Sequence, residues 1–218
     1  MWMLLMTACA LVALQPVAAQ NLETDNLENL VFPRFQESVV KLKNGQSYKA
    51  VLNYEKTEQQ MVVLRNNKLY LFRDHQAVDT IYMAERIFVP AETGFYELLV
   101  NGPAVLFINH KATLDNTGAT LAYGSKTSTA GVTHINKIFS NDGAIKLKIP
   151  ENFKVADDSE FLIKVDGQIQ KVLNRKQFVK LFPGKTTELE EYISNHKTNF
   201  KSEKDLVGLV EFCNSVSR

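Results

Sequence analysis

Cysteine is nearly missing from this chain: 218 residues carry two, Cys9 and Cys213. Cys9 lies inside an apolar leader, so Cys213 is the sole cysteine of the processed chain and no internal disulfide is available. Charge of one sign is missing too. The 25 Lys+Arg stand against 24 Asp+Glu, a net charge of +1, and near-neutrality argues against a nucleic-acid partner. After residue 20 no apolar run approaches the roughly twenty residues that a membrane-crossing helix requires, so the mature chain should hold no transmembrane segment. The last third is polar and helical in pattern, which also opposes a transmembrane barrel. Four histidines, His75, His110, His134 and His196, have neither a His-x-x-x-His spacing nor a neighbouring cysteine, so no metal set is expected. Phosphate loops and Gly-x-Ser-x-Gly elbows are absent, and no cofactor or catalytic set is expected.

What is there begins with export. Met1 to Gln20 carries no charged side chain, and Trp2 to Leu14 is an apolar stretch too short to span a bilayer. Pro16 ends any helix there. Val17-Ala18-Ala19 then supplies the small residues a signal peptidase needs, which predicts cleavage after Ala19 or Gln20 and a mature start near Asn21. The positive charge usual ahead of such a stretch is missing apart from the initiator amine. Met6-Thr7-Ala8-Cys9 loosely resembles a lipidation box, but too few residues precede Cys9 for a full apolar region, so a lipid anchor is the lesser alternative.

The body of the chain opens with strands. Val39 to Lys43 and Gln46 to Leu52 flank Asn44-Gly45, a pair that tolerates the positive φ angles of a tight primed turn. Gln60 to Leu64 and Lys68 to Phe72 flank Arg65-Asn66-Asn67 in the same way. Short strands are expected at Thr80 to Met83, Arg86 to Val89, Phe95 to Val100 and Ala104 to Ile108, with Asn101-Gly102-Pro103 turning between the last two. Asp115 to Gly143 is rich in Gly, Ser, Thr and Asn and is a functional loop, a mobile one, or conceals a strand. Ile145 to Ile149 and Glu160 to Val165 follow, and Asp166-Gly167 turns the second into Gln168 to Leu173.

Helical signals then take over. Asn174 can cap a helix carrying Phe178, Val179, Leu181 and Phe182, which Pro183-Gly184 ends. Thr187 with Glu190, and Ser202 with Asp205, read as capping boxes for two more. The expected fold class is therefore α+β: an antiparallel β-meander forming a sandwich, roll or partly open barrel, then a β-hairpin and about three short C-terminal helices. Residues 1–20 would be the signal peptide, 21–150 the β-rich region, and 151–218 a hairpin plus helical region packed with it as one unit.

Few motifs carry chemistry. Ser38-Val39-Val40-Lys41, Ser140-Asn141-Asp142 and Lys126-Thr127-Ser128 imitate the motifs of penicillin-binding proteins, but Ser38 and Lys41 fall on a strand pattern and point to opposite sides. Asp157-Asp158-Ser159-Glu160 lacks the alternation and glycine of a calcium loop and reads as a solvated turn. Cys213, among apolar helical residues, reads as a buried inert thiol. The remaining candidate is a loop in which Tyr123, Ser125, Lys126, Thr127, Ser128 and His134 could bind a small polar ligand through hydroxyl and backbone donors.

Taken with Tyr54-Glu55-Lys56-Thr57-Glu58-Gln59-Gln60-Met61, Arg86-Ile87-Phe88-Val89-Pro90, Tyr123-Gly124-Ser125-Lys126-Thr127-Ser128 and the run from Asn174 to Val207, the chain resembles a group of exported Bacteroidota proteins. The resemblance implies a cell-envelope location and supplies no catalytic residues. The sequence thus reads as an exported periplasmic or envelope protein, a non-enzymatic module binding an envelope protein or small polar ligand. An enzyme assembled from distant residues around the 115–143 loop, and a lipid-anchored structural subunit, are the alternatives.

Overall fold

The computed structural model describes residues 28–116, 119–120, 126–127, 138–140, 143–147, 149, 153–172 and 174–216. The expected leader, residues 1–20, lies outside them. Eight strands come first: β1 (Gln36–Leu42), β2 (Ser47–Glu55), β3 (Gln60–Arg65), β4 (Lys68–Leu71), β5 (Val78–Met83), β6 (Arg86–Pro90), β7 (Phe95–Val100) and β8 (Val105–Asn109). They follow the expected positions closely. Then come β9 (Ala112–Asn116), the short pieces β10 (Ala119–Thr120), β11 (Lys126–Thr127), β12 (Ile138–Phe139) and β13 (Ile145–Lys146), and β14 (Phe153–Asp157), β15 (Glu160–Val165) and β16 (Gln168–Lys171). Three helices close the chain: α1 (Arg175–Lys180), α2 (Thr186–Asn195) and α3 (Glu203–Val216).

Ten strands form one antiparallel run, β4-β3-β2-β1-β5-β6-β7-β8-β15-β16, and β12-β13 extends it through the pairing Ile145↔Leu69. The outermost strands β12 and β16 do not pair with each other, so the sheet does not close into a barrel. It does curl. A flat sheet would hold β4 and β7 six strand spacings apart, about 29 Å at about 4.8 Å each. Yet the Phe72 ring, just past β4, lies 6.0 Å from the Phe95 ring on β7, and the β6–β7 turn rests on Gln59 in the β2–β3 turn. The result is an open roll, within the architecture that short hairpin-linked strands predict.

Cross-strand register explains the core. Ile81, Phe88, Glu97, Ile108 and Phe161 face one another along successive strands and therefore lie on one face. Where the sheet curls, that face packs on itself, burying Leu52, Tyr54, Met61, Ile81, Met83, Phe88 and Phe95. Towards β15 it is covered by the helices, where Val100, Leu106 and Ile163 meet Phe178, Leu189, Leu206, Leu209 and Val210. The i, i+3, i+4, i+7 spacing of Leu206, Leu209, Val210 and Cys213 gives α3 its buried stripe. The β15–β16 hairpin thus extends the same sheet from β8, and the helices pack with β7, β8 and β15 in a cluster distinct from that inside the curl. No described helix is long and apolar enough to cross a membrane.

Three local expectations need correction. At Asn44-Gly45 only Gly45 has a positive φ, of 85°, and its N–H donates to Leu42 O, so the link is a turn followed by a left-handed glycine rather than a two-residue primed turn. Thr187 does not cap α2: that helix begins at Thr186 behind Lys185, which gives no side-chain cap, and Glu190 pairs instead with Arg175. The strand expected over Ile145 to Ile149 is only Ile145–Lys146. By contrast, Asn174 accepts from Gln177 N at 3.1 Å as its capping role requires, while at α3 only half of the box forms: Ser202 Oγ accepts from Asp205 N at 3.4 Å, but the Asp205 carboxylate accepts from Asn199 N rather than from Ser202 N.

Candidate functional site

Polar groups buried in the roll come first. Phe88, Glu97 and Ile108 share a row, and a two-residue step along β6 and along β8 keeps Arg86 and His110 on the same face. The three polar side chains meet there. His110 Nε2 lies 2.6 Å from Glu97 Oε2, and Arg86 Nη1 donates to the same oxygen at 3.3 Å. The Glu97 side chain is 6% exposed and that of His110 12%, against 43% for Arg86. The His110 ring sits 6.1 Å from Tyr54 and 6.3 Å from Phe88, while Arg86 stacks 5.0 Å over Phe32. A carboxylate–imidazole pair is the pairing used in general acid–base chemistry, and here its neighbours are the Arg86 guanidinium and the rings of Tyr54 and Phe88.

A second group of polar residues is structural. Asn53 is wholly buried; it accepts from the N–H groups of Phe32 and Tyr54 and donates to the carbonyls of Phe32 and Arg34. It thereby clamps the irregular segment ahead of β1 onto β2. Glu55, also buried, accepts from Asn29 Nδ2, from the Thr57 hydroxyl and from the N–H groups of Thr57 and Glu58, holding the β2–β3 turn. Tyr54 donates to Phe95 O at 3.2 Å, and burial, with the Glu55 charge, pushes its hydroxyl above the ordinary tyrosine value.

The β2–β3 and β6–β7 turns meet at the roll's mouth, beside the 3-10 turn His75–Ala77. A cavity of about 370 Å³ opens there, lined by Met61, Phe72, Arg73, His75, Thr93 and Phe95 among others. The His75 ring stands edge-on to Phe95 at 6.3 Å, and its Nε2 is buried without a hydrogen-bond partner among the described residues. An unmatched buried nitrogen of this kind costs about 1–3 kcal/mol. This site combines apolar rings with a few convergent polar groups, the ordinary make-up of a small-ligand pocket.

The other sequence candidates are placed as follows. Tyr123, Ser125, Ser128 and His134 lie outside the described residues. Lys126 and Thr127 form β11, paired with Thr120 and Ala119 of β10. His196 Nδ1 lies 2.9 Å from Tyr192 O and its ring stacks on Tyr192 at 4.0 Å, closing the end of α2. Ser38 is buried on β1 and donates to Gln36 O. Asp157 accepts from the N–H and hydroxyl of Ser159; burial works to raise its carboxyl, but these bonds outweigh it and hold the group below the usual value. Among the described residues, no three His, Cys, Asp or Glu side chains gather as a metal site. Burial pushes the Cys213 thiol up to about 12, so it is protonated and inert at neutral pH.

Sequence reading missed Arg86 and Glu97. A signal existed, because in Phe95-Tyr96-Glu97 the acid stands two residues from Phe95, at an inward position of an apolar strand. The chain has no significant match to any protein-family model, curated protein or solved structure.

Proposed function

We propose that this chain is an exported periplasmic or cell-envelope protein that works as a non-enzymatic binding module, holding a small ligand at the mouth of the roll. The observation that carries the reading is His75 Nε2, buried and without a partner among the described residues, beside a cavity of about 370 Å³. A ligand with one polar group and an apolar body would complete that nitrogen's hydrogen bonding and cover Met61, Phe72 and Phe95. A fragment screen by amide NMR tests it: hits should shift Thr93 and Gly94 and be lost in His75→Phe and in Thr93→Trp. Hits that ignore both substitutions would remove the mouth from consideration. Intact mass after expression from the native gene tests export, with a start near Asn21 expected and a lipidated Cys9 pointing to an anchored subunit instead.

One observation favours a second reading, that of an enzyme whose site assembles from distant residues. His110 converges on an acid, Glu97, at 2.6 Å. Loss of a turnover in Glu97→Gln with the fold intact would establish it over the binding module.

A further inference from the structure

The β3–β4 hairpin carries a second cavity, and its chemistry differs from that of the mouth. Val63 pairs with Tyr70 and Arg65 with Lys68, so Val63, Arg65 and Tyr70 share a face. The Arg65 guanidinium lies 5.1 Å over the Tyr70 ring, a cation–π contact that helps hold the side chain. Arg73 follows just beyond β4. These residues, with Leu71 and Gly143 of the turn before β13, line a cavity of about 530 Å³. Two cations therefore border it and no described lining residue is acidic. Neither guanidinium makes a hydrogen bond or ion pair with a described residue.

Two guanidinium groups at one cavity repel each other, and an anion between them turns that cost into attraction. Each presents a planar fork that matches a carboxylate or phosphate bidentately. Tyr70 and Val63 supply an apolar wall for the body of the same molecule. We infer that this cavity is an oxyanion site, taking an organic ligand whose carboxylate or phosphate group is gripped by Arg65 and Arg73 and whose body rests on Tyr70. It adjoins the mouth through the shared Leu71 and Arg73, but Arg65 and Tyr70 line only this cavity while His75 and Thr93 line only the other. The assignment therefore stands whether or not the mouth binds anything.

Titration of the full-length protein with phenyl phosphate, benzoate and benzyl alcohol tests it, read by calorimetry and by amide NMR. Either anion, or both, should bind at millimolar concentration and shift Tyr70 and Gly143, while the neutral alcohol does not. The stronger of the two identifies the headgroup as phosphoryl or carboxylate. Arg65→Gln and Arg73→Gln should each weaken binding roughly tenfold or more, and Arg65→Lys, which keeps the charge but loses the fork, should fall between. Both arginines are exposed, so the variants should melt with the parent. His75→Phe should leave anion binding unchanged. The site is overturned if neither anion binds, if the alcohol binds equally, if both Gln variants bind like the parent, or if His75→Phe abolishes binding.

Discussion

The α-carbon of Gly94 rests against the carbonyl oxygen of Gln59: a methyl group on it would come within 2.1 Å of that oxygen. This is where the curled sheet touches itself, and the φ of +77° at Gly94 further disfavours any side chain. Gly94→Ala must either push the two turns apart or unwind one of them. A loss of at least about 2 kcal/mol is expected, read from the denaturant midpoint. A variant as stable as the parent would mean that the roll is not closed at this point.

The β5–β6 turn offers the opposite change. Ala84 and Glu85 adopt φ of 48° and 67°, a left-handed pair with no glycine to ease it. Glu85→Gly should raise stability by about 0.5–1 kcal/mol, with an unchanged denaturant slope. A destabilised variant would contradict the turn geometry.

Glu97 anchors both Arg86 and His110 on one oxygen. Glu97→Ala leaves His110 facing hydrocarbon without its acid and should cost about 2–4 kcal/mol, tempered by the exposure of Arg86. His110→Phe should cost less, since ring packing on Tyr54 and Phe88 survives. A double-mutant cycle reads the coupling, and additive losses would show that the 2.6 Å contact contributes nothing.

Glu160 bridges Lys171 at 2.6 Å and Lys111 at 3.3 Å. The Lys171 hydrogen bond, followed by that of Lys111, outweighs partial burial and lowers the Glu160 carboxyl below its ordinary 4.5. The stabilisation is therefore present above pH 4.5 and fades as the pH falls through the lower, folded-state value. Lys171→Ala should destabilise the protein near neutrality and match the parent in strong acid. A difference that persists in acid would assign the effect to packing of the lysine stem.

Cys213 behaves in the reverse sense. Its thiol rises from 9.0 to about 12 on burial, so above pH 9.0 the unfolded chain sheds a proton that the folded one keeps. Stability should fall as the pH climbs from 9.0 towards 12, and Cys213→Ala should flatten that slope. Alkylation of the native protein should proceed no faster than local opening. Rapid labelling would place the thiol at the surface.

Much of this architecture was legible because local chemistry specifies it. Asn66-Asn67 and Asp166-Gly167 take the positive φ angles that their residue types favour, and the strands on either side follow. The Ala84-Glu85 turn is different: no turn dipeptide marks it, and its two strands were readable only from their own alternation. β9 and β14 escaped notice because their stabilising partners are each other, with Phe153 facing Asn116 across a long intervening segment. The sites were less legible still. His75 gains its meaning from Phe95 through a curl of the sheet that no local pattern announces, and Arg73 from Arg65 through the cavity that the β3–β4 hairpin borders. Only the inward position of Glu97 could have been read from the strand itself.

The clasp between Asn214 and the β7–β8 turn has a consequence for how the chain acquires its shape. Asn214 accepts from Ala104 N at 2.8 Å and donates to Ala104 O at 2.9 Å, across 110 residues of sequence. Consecutive hairpins can assemble early, since each needs only its neighbour. The face of Val100 and Leu106 must wait for the last helix to be made. Until then a growing chain carries a sticky apolar strip, and any loss of its final turn would leave that strip open to association with other chains.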